Sequence, residues 1–156
     1  MAKLQTDLRE FIELLNSHNV EYVVVGGHAV AFHGHPRFTG DIDFFVRMTS
    51  QNAERLLAVL DEFGFGGLGI TEADLLKPKR VIQLGHPPNR IDILTSISGV
   101  EFDAAWESRV GSVIDDQAVS ILGWNELLQN KKAAGRPKDL ADLKKLLAVA
   151  KCKGAE

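Results

Sequence analysis

A chain of 156 residues, 45% hydrophobic and 25% charged, is long enough for one globular domain with a core of its own and short for two. Its formal net charge of -3 gives no basis for wholesale nucleic-acid binding, and its one cysteine, Cys152, leaves no intrachain disulfide and no cysteine-based zinc site. The amino terminus MAKLQTDLREFIELL scatters charges through an amphipathic pattern, unlike a secretory signal or membrane span, so the expectation is a single soluble domain over 1–156 in a reducing cytoplasm.

Leu4, Leu8, Phe11, Ile12 and Leu15 recur at helical spacing, and Ser17-His18-Asn19 interrupts them before EYVVV, a β-branched run that suits a buried strand. After Gly26-Gly27, HAVAFHG predicts a short helix ended by His35-Pro36, because the residue before a proline disfavours helical dihedrals. DIDFFVR predicts the second strand. Ser50 opens a helix with Ala53, Leu56, Leu57, Val59 and Leu60 on one face, closed by the glycine-rich loop at 64–69. A short helix at 72–76 precedes RVIQLG and RIDILTS, a predicted hairpin across HPPN, whose prolines suit a turn. Residues 101–109 read as a loop or short helix, and SVIDDQAVSIL as one or two strands. Trp124 begins a helix with Leu127 and Leu128 that breaks at Gly135-Arg136-Pro137. KDLADLKKLLAVAK then gives a last helix with Leu140, Leu143, Leu146 and Leu147 inward, and the helices of 124–150 are expected to pack on the core.

Gly26-Gly27 stands between a strand and a helix, where backbone N–H groups without side-chain cover can approach a phosphate, although a tight turn accounts for the same pair. Side chains two apart on a strand share a face, so Asp41 and Asp43 lie side by side with Ile42 turned the other way. At ~6 Å and an effective dielectric near 20, two such carboxylates repel by roughly 3 kcal/mol, a cost that a divalent cation would relieve. A polar strand end or an Asx turn is the plainer alternative. Thirteen residues separate Gly27 from Asp41, enough for a helix to run out and the chain to return on the neighbouring strand, which brings glycines and carboxylates to the same sheet edge. Asp92, between Ile91 and Ile93, becomes the third carboxylate of a two-cation site if its strand pairs beside DIDFF, and is otherwise a solvent-facing aspartate.

His28, His33 and His35 do not suit a zinc site, because their spacing and the Pro36 turn keep them off one helical face. His28 either touches a phosphate or is structural, and Arg37 and Thr39 either contact phosphate or fix their loop. Lys131, Lys132, Arg136 and Lys138 are a solvated helix face, with Asp139 favouring the helix start, or a basic wall over a triphosphate.

VVVGGHAVAFHG, RFTGDIDFFV and RIDIL follow one another in the order and spacing of the nucleotidyltransferase superfamily of DNA polymerase β, which the chain resembles over 21–147. That pattern is a hydrophobic-Gly-[Gly/Ser] turn, then Asp-x-Asp, then a later strand carboxylate. The tail NKKAAGRPKDLADLKKL is similar to the last motif of the AbiEii-type branch, which includes toxins of abortive-infection and toxin–antitoxin systems. The resemblance implies an α/β (α+β) fold, a mixed sheet flanked by helices. It further implies an enzyme that uses a nucleoside triphosphate with magnesium or manganese and moves the nucleoside monophosphate to an acceptor hydroxyl on RNA, protein or a small molecule. Asp41, Asp43 and Asp92 would hold the metal, Asp92 would also assist deprotonation, and Gly26 and Gly27 would cradle the phosphates. Lys131, Lys132 and Lys138 would be phosphate or acceptor contacts, and Asp139 a polar group of the site. An antitoxin or other protein partner fits the branch, and a membrane partner is not expected. The rival is a non-catalytic nucleotide- or partner-binding module of the same fold, and the acceptor stays open.

Overall fold

The β-branched run Tyr22–Val25 forms strand β1, buried along its whole length, and the rest of the sheet grows outward from it. The structure, a computed structural model, describes residues 2–34, 40–85 and 90–154. Helix α1 (Ala2–Ser17) precedes β1 and α2 (Gly26–Phe32) follows it. Next come β2 (Asp41–Val46), α3 (Ser50–Glu62), a 3-10 turn (Gly66–Leu68), α4 (Glu72–Leu75), β3 (Val81–Leu84) and β4 (Arg90–Leu94). The chain closes with α5 (Phe102–Glu107), β5 (Val110–Ile114), β6 (Gln117–Ile121), α6 (Trp124–Ala134) and α7 (Pro137–Gly154).

The strands form one mixed six-stranded sheet in the order β3-β4-β2-β1-β6-β5. β1 pairs antiparallel with β2 and parallel with β6, and β2 pairs parallel with β4. Antiparallel hairpins, β3 with β4 and β5 with β6, complete the two edges. With its described helices this is the α/β architecture expected from the sequence.

Local chemistry sets the boundaries. Asn19, at φ 56°, ends the first helix in a left-handed conformation that asparagine tolerates better than most residues, and Val20 N–H then bonds the Leu15 carbonyl. The α3 start is capped by Thr49, whose hydroxyl accepts the Asn52 N–H. Asp115 and Asp116 both take positive φ between β5 and β6, the requirement of a two-residue hairpin turn. Gly135, at φ 65°, stops α6, and Pro137 opens α7 at a position where its missing N–H is harmless. Helix α2 lies two residues earlier than the sequence suggests: it includes Gly26 and Gly27 and ends at Phe32, with His33 as its cap and Gly34 at φ 114°, while the expected stop at His35-Pro36 lies outside the described residues.

The two faces of β2 divide by the period of two. Phe44 turns toward α1, where its ring meets Phe11 at 5.4 Å, and Phe45 turns the other way to meet Phe102 of α5 at 5.1 Å. Asp41 and Asp43 therefore share the face of Phe45, opposite α1.

One expectation about α7 is corrected. Leu146 is fully buried and Leu143 is half-buried, but Leu140 and Leu147 are each 48% exposed. The inward line instead runs through Asp139, Asp142 and Leu146, at i, i+3 and i+7. The helix is rotated so that these two carboxylates meet Lys131 of α6. In urea titrations Leu146→Ala is expected to cost about 2–5 kcal/mol, as for a buried leucine truncated to a cavity, whereas Leu140→Ala and Leu147→Ala should each stay within ~1 kcal/mol. Equal losses at the three positions would refute this orientation.

Candidate functional site

Strand register assembles the carboxylates. Parallel pairing sets Asp41 opposite Arg90 and Asp43 opposite Asp92, while antiparallel pairing with β1 sets Asp43 opposite Val25. The start of α2 thus stands directly at Asp43. Gly26 has φ +68°, and a Cβ there would lie 2.2 Å from Asp43 Oδ2. The positive φ favours glycine at this position, and any Cβ would oblige the Asp43 carboxylate to turn away. Gly27 is buried in the first turn of the helix.

The acids do not face one another bare. Arg90, two residues before Asp92 and on the same face of β4, donates from Nε to Asp92 Oδ1 at 2.8 Å. Its Nη2 donates to Asp92 Oδ2 at 3.2 Å and to Asp41 Oδ2 at 2.9 Å. The Asp92 side chain is 9% exposed, against 33% for Asp41. Burial pushes the Asp43 carboxyl up to about 6, aided by the charge of Asp92, a hydrogen bond with it, and the charge of Asp41, with Arg90 opposing. Such crowding is the condition that a bound cation relieves, and aspartate oxygens are a suitable donor set for magnesium or manganese. In the present arrangement, however, no three His, Cys, Asp or Glu side chains among the described residues are grouped closely enough to hold a metal ion. The Arg90 fork bridges Asp41 and Asp92 instead.

A second charged cluster forms where α6 turns into α7. Lys131 Nζ lies 3.3 Å from Asp139 Oδ1 and 3.1 Å from Asp142 Oδ2, and the three residues are buried at 4%, 1% and 4% exposure. Arg136 grips Asp139 with Nε at 2.6 Å and Nη2 at 3.2 Å, and its backbone N–H reaches the same carboxylate at 3.3 Å. Burial alone would raise the Asp139 pKa, but the bonds from Arg136 and Lys131, with their positive charges, outweigh it and hold it below the usual carboxylate range. The Arg136 pKa is raised mainly by its bond to and the charge of Asp139, with a contribution from Asp43 that places this corner within electrostatic reach of the acids.

The expected site residues thus separate. Asp41, Asp43, Asp92 and Gly26 come together, with Gly27 next to them. Lys131 and Asp139 are buried in the α6–α7 corner, where Lys131 is held between carboxylates, while Lys132 and Lys138 are exposed on its outside. Arg37 and Thr39 lie outside the described residues. His28 is half-buried, its pKa lowered by burial with Asp115 opposing, and His33 Nε2 bonds the Leu122 carbonyl at 2.7 Å. A cavity of about 480 Å³ lined by Phe32, His33, Trp124, Val149 and Ala150 includes none of the site carboxylates. One participant escapes the sequence reading: Arg90, which the same two-residue spacing that links Asp41 to Asp43 would have signalled from Asp92.

A family model described as "Nucleotidyltransferase of unknown function (DUF6036)" matches residues 2–153. Among solved structures the chain is similar to an antigenic nucleotidyltransferase-like protein from Paracoccidioides brasiliensis, with a TM-score of 0.58 and 16% identity over 96% of this chain and 77% of that one. At that identity the likeness concerns the fold. Among curated proteins none matches the sequence.

The raised Asp43 pKa fixes the sign of a stability effect. Its folded form binds a proton more tightly than the unfolded chain, whose carboxyl titrates near 3.8, so the group destabilises the fold as pH rises through about 6. The cost is at most about 3 kcal/mol above that pH. Asp43→Asn in the presence of a chelator should therefore melt several degrees above wild type at about pH 8 and close to it at about pH 4, as read by thermal denaturation. An unchanged Tm difference across that range would contradict the crowding. At the other cluster, Lys131→Met leaves Asp139 and Asp142 without the ammonium between them, and a loss of about 3–5 kcal/mol is expected in urea titration at neutral pH. A loss below ~1 kcal/mol would show that this ion cluster is dispensable.

Proposed function

Since the chain belongs to the DUF6036 family of nucleotidyltransferases, we propose that it transfers the nucleoside monophosphate of a nucleoside triphosphate to an acceptor hydroxyl, with Asp41, Asp43 and Asp92 as the working acids. One observation carries this reading: Asp43 lies directly opposite Asp92 and against Gly26, at the start of a helix. Carboxylates for a cation and backbone for a phosphate thereby converge on one spot.

In the reaction the acceptor oxygen forms a bond to the α-phosphorus, the bond to pyrophosphate breaks, and the hydroxyl proton passes to a carboxylate. Bound magnesium or manganese would be held by Asp41, Asp43 and Asp92 and would supply charge neutralisation and a more acidic hydroxyl. Asp92, the more buried of the flanking acids and oriented by Arg90, is suited to receive that proton. Gly26 and Gly27, in the first turn of α2, would offer backbone N–H groups to the phosphates. Arg136, with its side chain 72% exposed, and the exposed Lys132 and Lys138 put positive charge at the α6–α7 corner, where it would steady the leaving pyrophosphate. Lys131 and Asp139 act there by holding the corner in place.

The acceptor is RNA, protein or a small molecule. The tail motif over 131–142 supports an AbiEii-type role, as a toxin–antitoxin or abortive-infection component with an antitoxin partner. No described helix is long and apolar enough to cross a membrane, and we place the reaction in the cytoplasm. The Arg90 bridge favours a second reading, a non-catalytic nucleotide- or partner-binding module whose acids are occupied by their own arginine.

The test incubates purified protein with each α-labelled nucleoside triphosphate, magnesium and host extract. Label is expected in one acceptor fraction, and Asp43→Asn and Asp92→Asn should each lower the rate by at least about a hundredfold while circular dichroism stays native. Nucleotide binding with no label transferred would favour the module, and near wild-type transfer in either variant would remove that acid from the mechanism.

A further inference from the structure

The Arg90 guanidinium bridges Asp41 and Asp92, and its hydrogen bonds to them are unequal. Asp92 is held by two, at 2.8 and 3.2 Å, and Asp41 by one, at 2.9 Å. Asp92 is nearly buried, whereas Asp41 lies at the more open side of the site. An arginine cannot vacate such a position by losing its proton, so the group leaves only by moving. With its side chain 24% exposed, Arg90 has solvent to move into.

We propose that Arg90 is the resident counter-cation of this site and that a divalent cation binds by displacing its guanidinium from Asp41, while the two bonds to Asp92 keep that carboxylate aimed. The inference rests on the reading that the acids hold a cation, and assigns to Arg90 the control of how readily they take one. Like charges do not share a carboxylate cluster without cost, so the guanidinium and the metal compete for Asp41. Nucleotide phosphates, which bring oxygen ligands of their own, tip that competition. Arg90 is on this account a positioning residue: it sets how tightly the apo site takes metal and how Asp92 is oriented.

Binding of Mn2+ to wild type, Arg90→Gln and Arg90→Lys, followed by electron paramagnetic resonance with and without a non-hydrolysable nucleoside triphosphate analogue, tests this apart from activity. Without nucleotide, Arg90→Gln should bind Mn2+ about tenfold or more tighter than wild type, since the competing charge is gone. Arg90→Lys, which keeps the charge but cannot bridge two carboxylates as a fork, should fall between, and carries the test if Arg90→Gln fails to fold. With the analogue bound, the difference between the proteins should shrink. Unchanged or weaker Mn2+ binding in the folded variants, with wild type binding Mn2+ in the presence of the analogue, would overturn the role of Arg90 and leave the proposed function standing. No Mn2+ binding by wild type even with the analogue would overturn both.

Discussion

The juxtaposition of Asp43 and Asp92 on adjacent parallel strands is the constraint on which the rest of the site depends. Like charges placed directly across a ladder repel, and burial sharpens the repulsion because little water is available to screen it. The fold tolerates the pair because the opposite face of the same strands is among the most apolar surfaces in the protein, with Phe44 buried against Phe11 and Tyr22. A slip of one residue in the β2 register would turn the acids into that aromatic layer and take Phe44 out of it, so the core that stabilises the sheet also fixes where the carboxylates point. Gly26 fits the same constraint, since a Cβ there would meet the Asp43 carboxylate as it now stands.

The corner between α6 and α7 solves a related problem by a different route. Burying Asp139 and Asp142 away from water is costly, and the cost is offset only because Lys131 and the Arg136 fork supply donors from both sides. Such a cluster adds little net stability over a well-packed apolar one, but it accepts few alternative geometries. Its gain is in orientation: it locks the rotation of α7 and leaves Arg136 pointing outward, within electrostatic reach of Asp43.

These differences in physical origin explain what could be read from the sequence. Order and spacing were enough for the elements around Gly26-Gly27 and Asp41-x-Asp43, because period-two alternation and a glycine turn are local signals. The mixed sheet is what the family resemblance implies, and its six strands and their order come from the structure. The rotation of α7 was not legible, because leucine periodicity there is matched by a competing line of carboxylates whose burial depends on a lysine eight residues upstream of Asp139, on another helix. Arg90 is illegible for a similar reason. As a lone arginine at a strand start it reads as a surface residue, and its role appears only when β4 pairs in parallel with β2 and brings Asp41 across from it.

Fold likeness alone does not decide between chemistry and simple binding, because a scaffold of this kind carries whatever its strand ends present. The charge count at this strand end is more informative. Asp41, Asp43 and Asp92 with Arg90 sum to -2 when all are ionised, and proton uptake by Asp43, with its pKa near 6, brings the sum only to -1. A site designed for its own arginine would reach neutrality without help. This one retains an excess of negative charge, concentrated on the acid that faces the glycine turn and that takes no hydrogen bond from Arg90 among those described. An incoming cation would draw the Asp43 pKa back down, because its charge favours the ionised carboxylate.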